Sequence, residues 1–313
     1  MVRYVTQRIL MIFPIMFAVI FICFTIMNIT PGDPAKMLLG DFAPQEAVDM
    51  LNRQFGLDKP FFQRFFDYIV NIVTRFDFGL SWRTQRPVVD DILLRFPYTF
   101  RIALISVLGS AFIGIPIGVL LAAKSSYWVD RILNILAMIF ASIPTFVLAM
   151  IAQQIFAVQL RWLPIYGASS WLGYILPLSV TILPASVGRM RMARITLLET
   201  IRQDYVTMAR SKGVPERRVM FVHAMKNSMI PLITSILLGF SGMLSGSIFI
   251  ENVFAIPGLG TYMVNSIQMK DQPASLACAI FMSAIFCFTV LLLDIIYSVI
   301  DPRIKSRFIR PEL

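Results

Sequence analysis

The sequence predicts an all-α, polytopic membrane protein with six transmembrane helices. Three observations predict it. Hydrophobic residues make up 57% of the 313 and charged residues only 15%, where a soluble domain carries about 25% charged; the mean hydropathy is +0.73. Six apolar stretches, 9–29, 102–123, 133–160, 173–188, 232–250 and 274–293, stand near the roughly 20 residues a helix needs to cross a bilayer. The basic excess, a formal +10, is confined to one set of connections.

The first stretch follows Arg3 and Arg8. It outruns the roughly 7–15 apolar residues of a secretory signal and ends at Asn28-Ile29-Thr30-Pro31 without a small-residue cleavage site, so it reads as an uncleaved span. A connection over 31–101 comes next, long enough for small helices. Pro44 opens Gln45-Glu46-Ala47-Val48-Asp49-Met50-Leu51, a short helix with proline in its first turn. After Pro60, the residues Phe61, Phe62, Phe65, Phe66, Ile69, Val70 and Val73 form an amphipathic stripe. That stripe suits either the membrane–water interface or packing on the bundle. Asp77-Phe78-Gly79-Leu80-Ser81-Trp82 reads as a turn with an interfacial aromatic.

The third stretch holds Pro144, Gln153 and Gln154, which predicts a tilt, a kink or an early exit from the membrane. The fourth is short and contains Pro177 and Pro184, so the alternative to six spans is five spans with a re-entrant fourth segment. Between the fourth and fifth lies 189–231, rich in charge and divided by Gly213-Val214-Pro215. Glycine there ends one helix in a left-handed turn and proline starts the next. Val219, Val222, Met225 and Met229 mark the apolar face of the second helix. A docking knob and a solvated charged hairpin both fit this spacing.

With the N-terminus inside, the inner segments 1–8, 124–132, 189–231 and 294–313 hold 17 basic and 7 acidic residues. The outer ones hold 11 of each, so the whole net charge lies on one side, as positive-inside bias predicts. Both termini are therefore expected in the cytoplasm, and the basic residues mark topology rather than a nucleic-acid surface. Cys23, Cys278 and Cys287 lie in apolar runs and form neither a disulfide framework nor a metal site. His223, the only histidine, has no second ligand near it in sequence. The spans lack the converging groups of a membrane enzyme, the paired repeats of a secondary transporter and the lining of a selective channel.

An ordered series of motifs resembles the inner-membrane permease subunits of bacterial ATP-binding cassette importers. The coupling loop of that family carries Glu-Ala-Ala, three further residues and a glycine. The matching positions are Ala209 and Gly213, with a later Pro231, while Thr207 and Met208 replace the first two signature residues. Asp204-Tyr205-Val206, Ala209-Arg210-Ser211-Lys212-Gly213, Glu216-Arg217-Arg218, His223-Ala224, Asn227 and Ile230-Pro231 look like the peptide-importer branch. So do Pro31-Gly32-Asp33-Pro34, Phe55-Gly56-Leu57-Asp58-Lys59-Pro60, Ser142-Ile143-Pro144, Pro164-Ile165-Tyr166-Gly167, Pro257-Gly258-Leu259-Gly260 and Asp301-Pro302-Arg303. The long connection after the first span is similar to the first permease of the dipeptide/oligopeptide pair. Nickel, glutathione and oligosaccharide importers of the same branch stay open as alternatives.

The resemblance implies a type I importer permease, divided into a first span (1–30), an extracytoplasmic connection with short helices (31–101) and a five-span core (102–313). It implies a second homologous permease subunit, two cytosolic ATP-binding subunits that use ATP and Mg²⁺, an extracytoplasmic solute-binding protein and surrounding membrane lipids. It implies no cofactor on this chain and no enzyme activity of its own, and no Gly-x-x-x-x-Gly-Lys-Ser/Thr phosphate loop occurs. Asp204, Ala209, Gly213, Glu216 and Arg217 are the expected ATPase-coupling residues, Ala209 as a small surface for close approach. Asn28, Asn134, Gln153 and Gln154 are the polar candidates along the substrate path, each also able simply to bridge helices.

Overall fold

A computed structural model describes residues 2–29, 33–40, 42–123, 127–167 and 170–300. Pro31-Gly32 and the tail motif Asp301-Pro302-Arg303 lie outside the described residues. Regular structure among the described residues is helical, apart from one antiparallel bridge between Leu80 and Pro87. In chain order the helices are α1 (Val2–Ile29), α2 (Pro34–Leu39), α3 (Gln45–Gln54), α4 (Phe61–Arg75), α5 (Val88–Ala123), α6 (Tyr127–Ser142) and α7 (Thr145–Ala152). After them come α8 (Leu172–Ile201), α9 (Asp204–Ser211), α10 (Glu216–Arg218), α11 (Met225–Val253), α12 (Leu259–Gln268) and α13 (Gln272–Ile300). Two π-helical segments, Gln153–Gln159 and Val219–Ala224, extend α7 and lead into α11.

Five helices are long and apolar enough to span a membrane, and the pair Trp128–Ser142 and Thr145–Gln159 makes a sixth span if counted together. That pair bends by 87° at Pro144, where proline cannot donate to the ladder and crowds the preceding turn. The fourth span differs from its expected short form. It is a continuous helix of 30 residues that runs through both Pro177 and Pro184 and on to Ile201. Hydroxyls bond the carbonyls along it: Thr181 Oγ1 donates to the Pro177 carbonyl at 3.0 Å and Ser186 Oγ to that of Ile182 at 2.7 Å. Side-chain donors of this kind let an apolar helix carry prolines.

The chain divides into two compact units. One comprises residues 2–99 and 257–288, the other residues 100–256 and the described residues from 289 onward. In the first, α4 packs one edge of its stripe on the bundle, one of the two expected roles. Phe65 is buried and meets the rings of Phe17, Phe21 and Phe24 on α1 edge to face, at 5.3–5.7 Å. Phe62, Phe66, Val70 and Val73, the other edge of the stripe, stay exposed. Pro44 and Pro60 each stand one residue before their helix as the N-cap, rather than inside its first turn. Trp82 stacks on Phe55 at 4.7 Å. Asp271 ties this unit together, accepting from Ser81 Oγ at 2.5 Å and from the Trp82 amide at 3.1 Å while capping α13.

In the second unit α5 and α8 approach closely through Gly114 and Gly118. A Cβ at Gly114 would stand 2.4 Å from the Ser186 carbonyl oxygen, and one at Gly118 2.3 Å from that of Met190. Small residues four apart let helix backbones touch in a membrane. At one end of the unit Arg194 is buried; its guanidinium bonds both Asp130 oxygens and the Leu121 carbonyl. This brings the end of α5 and the start of α6 together beside the far part of α8.

Candidate functional site

The 204–218 hairpin is built from two short helices and a glycine corner. Gly213 has φ +73°, its amide reaches the Arg210 carbonyl at 2.9 Å, and the Val214 amide reaches that of Ala209 at 3.3 Å. Those two bonds are the Schellman pattern, which satisfies the last carbonyls of a helix when a left-handed residue follows it. Pro215 then caps α10. Across the corner, Arg210 holds Glu216 through both carboxylate oxygens, Nε at 3.1 Å and Nη2 at 2.6 Å. The hydrogen bond and the charge of Arg210 hold the Glu216 carboxyl below the usual glutamate range, and Glu216 raises Arg210 in return.

The expected coupling residues fall into different places. Asp204 begins α9 and is exposed, suited to the positive end of the helix. Gly213 is exposed and has no atom within 4 Å of a would-be Cβ, so its role is the turn. Ala209, expected as a landing surface, is instead buried within the chain together with Val206. The outward apolar face of α9 is Tyr205 and Met208, three residues apart and exposed, which the sequence reading passed over. Glu216 is engaged by Arg210 rather than free. The side chain of Arg217 lies outside the described residues.

Beyond the corner the expected apolar face also shifts. Val219 is buried as expected, but Val222 is 52% exposed and Met229 is exposed. The buried row is Val219, Ala224, Ser228 and Leu232. Its first step is five residues because Val219–Ala224 is π-helical, and the later steps are four. Ala224 packs with Val119, Ala122 and Leu197, and Ser228 Oγ donates to Thr200 Oγ1 at 3.0 Å. The hairpin is thereby pinned to α5 and α8. His223 is half-buried, and no cluster of three metal-binding side chains occurs among the described residues.

The four substrate-path candidates have different surroundings. Asn28 donates to the Phe24 carbonyl of its own helix at 2.7 Å. Asn134 and Gln154 are exposed on their helices. Gln153 Nε2 bonds the carbonyls of Ile165 and Val253 at 2.9 and 3.1 Å, which makes it a bridge between segments. The polar groups buried among the spans of the second unit are others. Arg189 on α8 donates to Ser110 Oγ on α5, Ser106 and Thr181 pair at 2.7 Å, and Ser247 donates to Glu251 at 3.0 Å. A Cβ at Gly239 would meet Arg189 Nη2 at 2.5 Å, so glycine there makes room for the guanidinium. Arg189 was read as the start of a connection; an arginine without an acid four residues away in an apolar run was the available signal.

Residues 114–306 match the model of the binding-protein-dependent transport system inner membrane component, and residues 1–103 match the N-terminal model of the same transport system's membrane component. The chain is 38% identical over 308 residues to the glutathione transport system permease protein GsiC of Escherichia coli (strain K12), covering 98% of this chain and 100% of that one. It shares the same identity and coverage with GsiC of Shigella dysenteriae serotype 1 (strain Sd197). Among solved structures, a chain of the inward-facing MetNI methionine ABC transporter superposes with a TM-score of 0.55 at 17% identity, covering 68% of this chain and 97% of that one.

Proposed function

Since the chain belongs to the family of binding-protein-dependent transport system inner membrane components, we propose that it forms half of the translocation path of an ATP-driven importer of short peptides, with glutathione as the favoured substrate. It is a polytopic inner-membrane permease subunit of the ABC-importer class and not an enzyme. The observation that carries the substrate is the 38% identity to a glutathione permease over nearly the whole chain. The dipeptide and oligopeptide substrates that lead the sequence reading, and the place as first permease of a pair, rest on motif resemblance alone. Nickel and oligosaccharides have no comparable support.

In this reading a second, homologous permease completes the pore, an extracytoplasmic binding protein delivers the peptide and two cytosolic subunits hydrolyse ATP with Mg²⁺. The termini and the 204–218 hairpin face the cytoplasm. Asp204, Tyr205 and Met208 meet an ATPase subunit, while Gly213 and the Arg210–Glu216 pair hold the corner rigid. Closure of the ATPases pushes α9; the buried row from Val219 to Leu232 passes the push to α5 and α8, which switches the path between its two openings. Affinity purification of the tagged chain from native membranes in mild detergent, followed by mass spectrometry, tests the assembly. A second permease and ATP-binding subunits are expected. A chain that transports peptide yet is always recovered alone contradicts the reading.

A further inference from the structure

The first unit contains a cavity of about 400 Å³ lined by Phe24, Arg64, Tyr68, Trp82 and Gln272, among others. Its size is that of a small-ligand pocket, and its polar groups are unusually underused. Tyr68 Oη and Gln272 Nε2 are buried without any hydrogen-bond partner. The Arg64 guanidinium stands over the Phe24 ring at 5.9 Å, and Arg64 is half-buried. Burial lowers Arg64 below the usual arginine range, against the opposing charge of Asp58. A buried polar group without a partner costs about 1–3 kcal/mol, and such groups in a native fold call for something that meets them.

All three groups can donate: a guanidinium, an amide N–H and a phenol O–H. Three donors around one space suit an oxyanion, and a guanidinium beside neutral donors is a carboxylate's preferred company. The walls are aromatic, with Trp82 stacked on Phe55. Lys59 and Asp67, also on the lining, pair with each other at 3.3 Å and are both about half exposed. We propose that this cavity is a binding site for a short peptide, with Arg64, Tyr68 and Gln272 holding a free carboxylate. The inference rests on the reading of the chain as a peptide permease. It adds a site on the permease itself.

Trp82 reports on the site. The full chain, purified with its membrane subunits and without binding protein, is placed in phosphatidylcholine nanodiscs and titrated with glutathione and with glycylglycine. A saturable change in tryptophan fluorescence is expected, absent in Trp82→Phe and absent with glycylglycine amide, which lacks the carboxylate. Arg64→Ala should raise Kd at least about tenfold, the worth of a charge-assisted hydrogen bond. Tyr68→Phe should raise Kd while leaving thermal stability unchanged or higher, because it removes an unmet hydroxyl. No saturable change, an equal response to the amide or to inorganic phosphate, or an unchanged Kd in both variants overturns the proposal. Uptake on the same preparation, with binding protein and ATP added, separates the two readings. Uptake without a Trp82 response sinks the site and keeps the importer; a carboxylate-dependent response without uptake supports the site and contradicts the importer.

Discussion

Gly213 is the residue on which the hairpin turns. An L-residue in the left-handed region costs about 1–2 kcal/mol, and a β-branched one is least able to adopt it. Gly213→Val is therefore expected to lower ATPase copurification and peptide uptake together, while its open surroundings spare the spans. Normal copurification and normal uptake would contradict the assignment. At Gly118 the constraint is space instead of φ. Gly118→Ala must part α5 from α8, a strain of about 1–3 kcal/mol, and should lower the thermal midpoint of the purified complex. Gly188→Ala and Gly242→Ala, with no atom within 4 Å of the new methyl, should not lower it. Residues of the first kind were legible: glycine, valine and proline in that order announce a helix stop and start. The Gly114–Gly118 pair was legible in principle from its four-residue spacing. The burial of Ala209 was not legible, because a small side chain suits the inside of a helix corner as well as the outside, and spacing alone does not tell the two apart.

Two elements decide how the hairpin transmits force. The π-helical entry to α11 lengthens the first step of the buried face to five residues, so a regular 3.6 period picked Val222 where the fold buries Ala224. Ala224→Leu should overpack the contact with Val119, Ala122 and Leu197 and depress both yield and thermal stability, by about 1–3 kcal/mol. Val222→Leu, on the exposed side, should leave both unchanged; equal damage at the two positions would argue for a regular helix. The Arg210–Glu216 pair spans six residues across a turn, outside the i,i+4 pattern that a sequence scan looks for. Since the folded-state Glu216 pKa is lowered, the stabilisation from the pair is complete above the free glutamate value near 4.3 and is lost as pH falls through the lowered one. ATPase coupling should be flat between pH 6 and 8. The exposed pair is worth at most about 1 kcal/mol, so Glu216→Gln should weaken coupling modestly, and the exchange Arg210→Glu with Glu216→Arg should restore most of it. A profile that falls steeply already near neutrality would mean that another group controls the corner.

At the scale of the molecule, the class, the approximate span count and the break at Pro144 followed from hydropathy and proline chemistry. Hydropathy did not reveal that α5 and α8 run far past the membrane's needs, about 54 and 45 Å at 1.5 Å per residue, because charged and buried residues at their ends look like connections. Arg189 and Arg194 are the examples: counted as a topology signal, they are also buried structural groups. The orientation argument survives this, since a residue can mark a side and hold it together. Cysteines at positions 60 and 212, introduced singly, should react with an impermeant maleimide from outside and from inside respectively; the reverse pattern would invert the topology and put the hairpin out of reach of any cytosolic ATPase. The central claim, an ATP-driven peptide permease coupled through 204–218, is tested most directly by uptake of radiolabelled glutathione into proteoliposomes that contain the copurified complex and its binding protein. Accumulation should require ATP and Mg²⁺ and fall sharply with Gly213→Val. Accumulation that persists without ATP and collapses with an ionophore would contradict it.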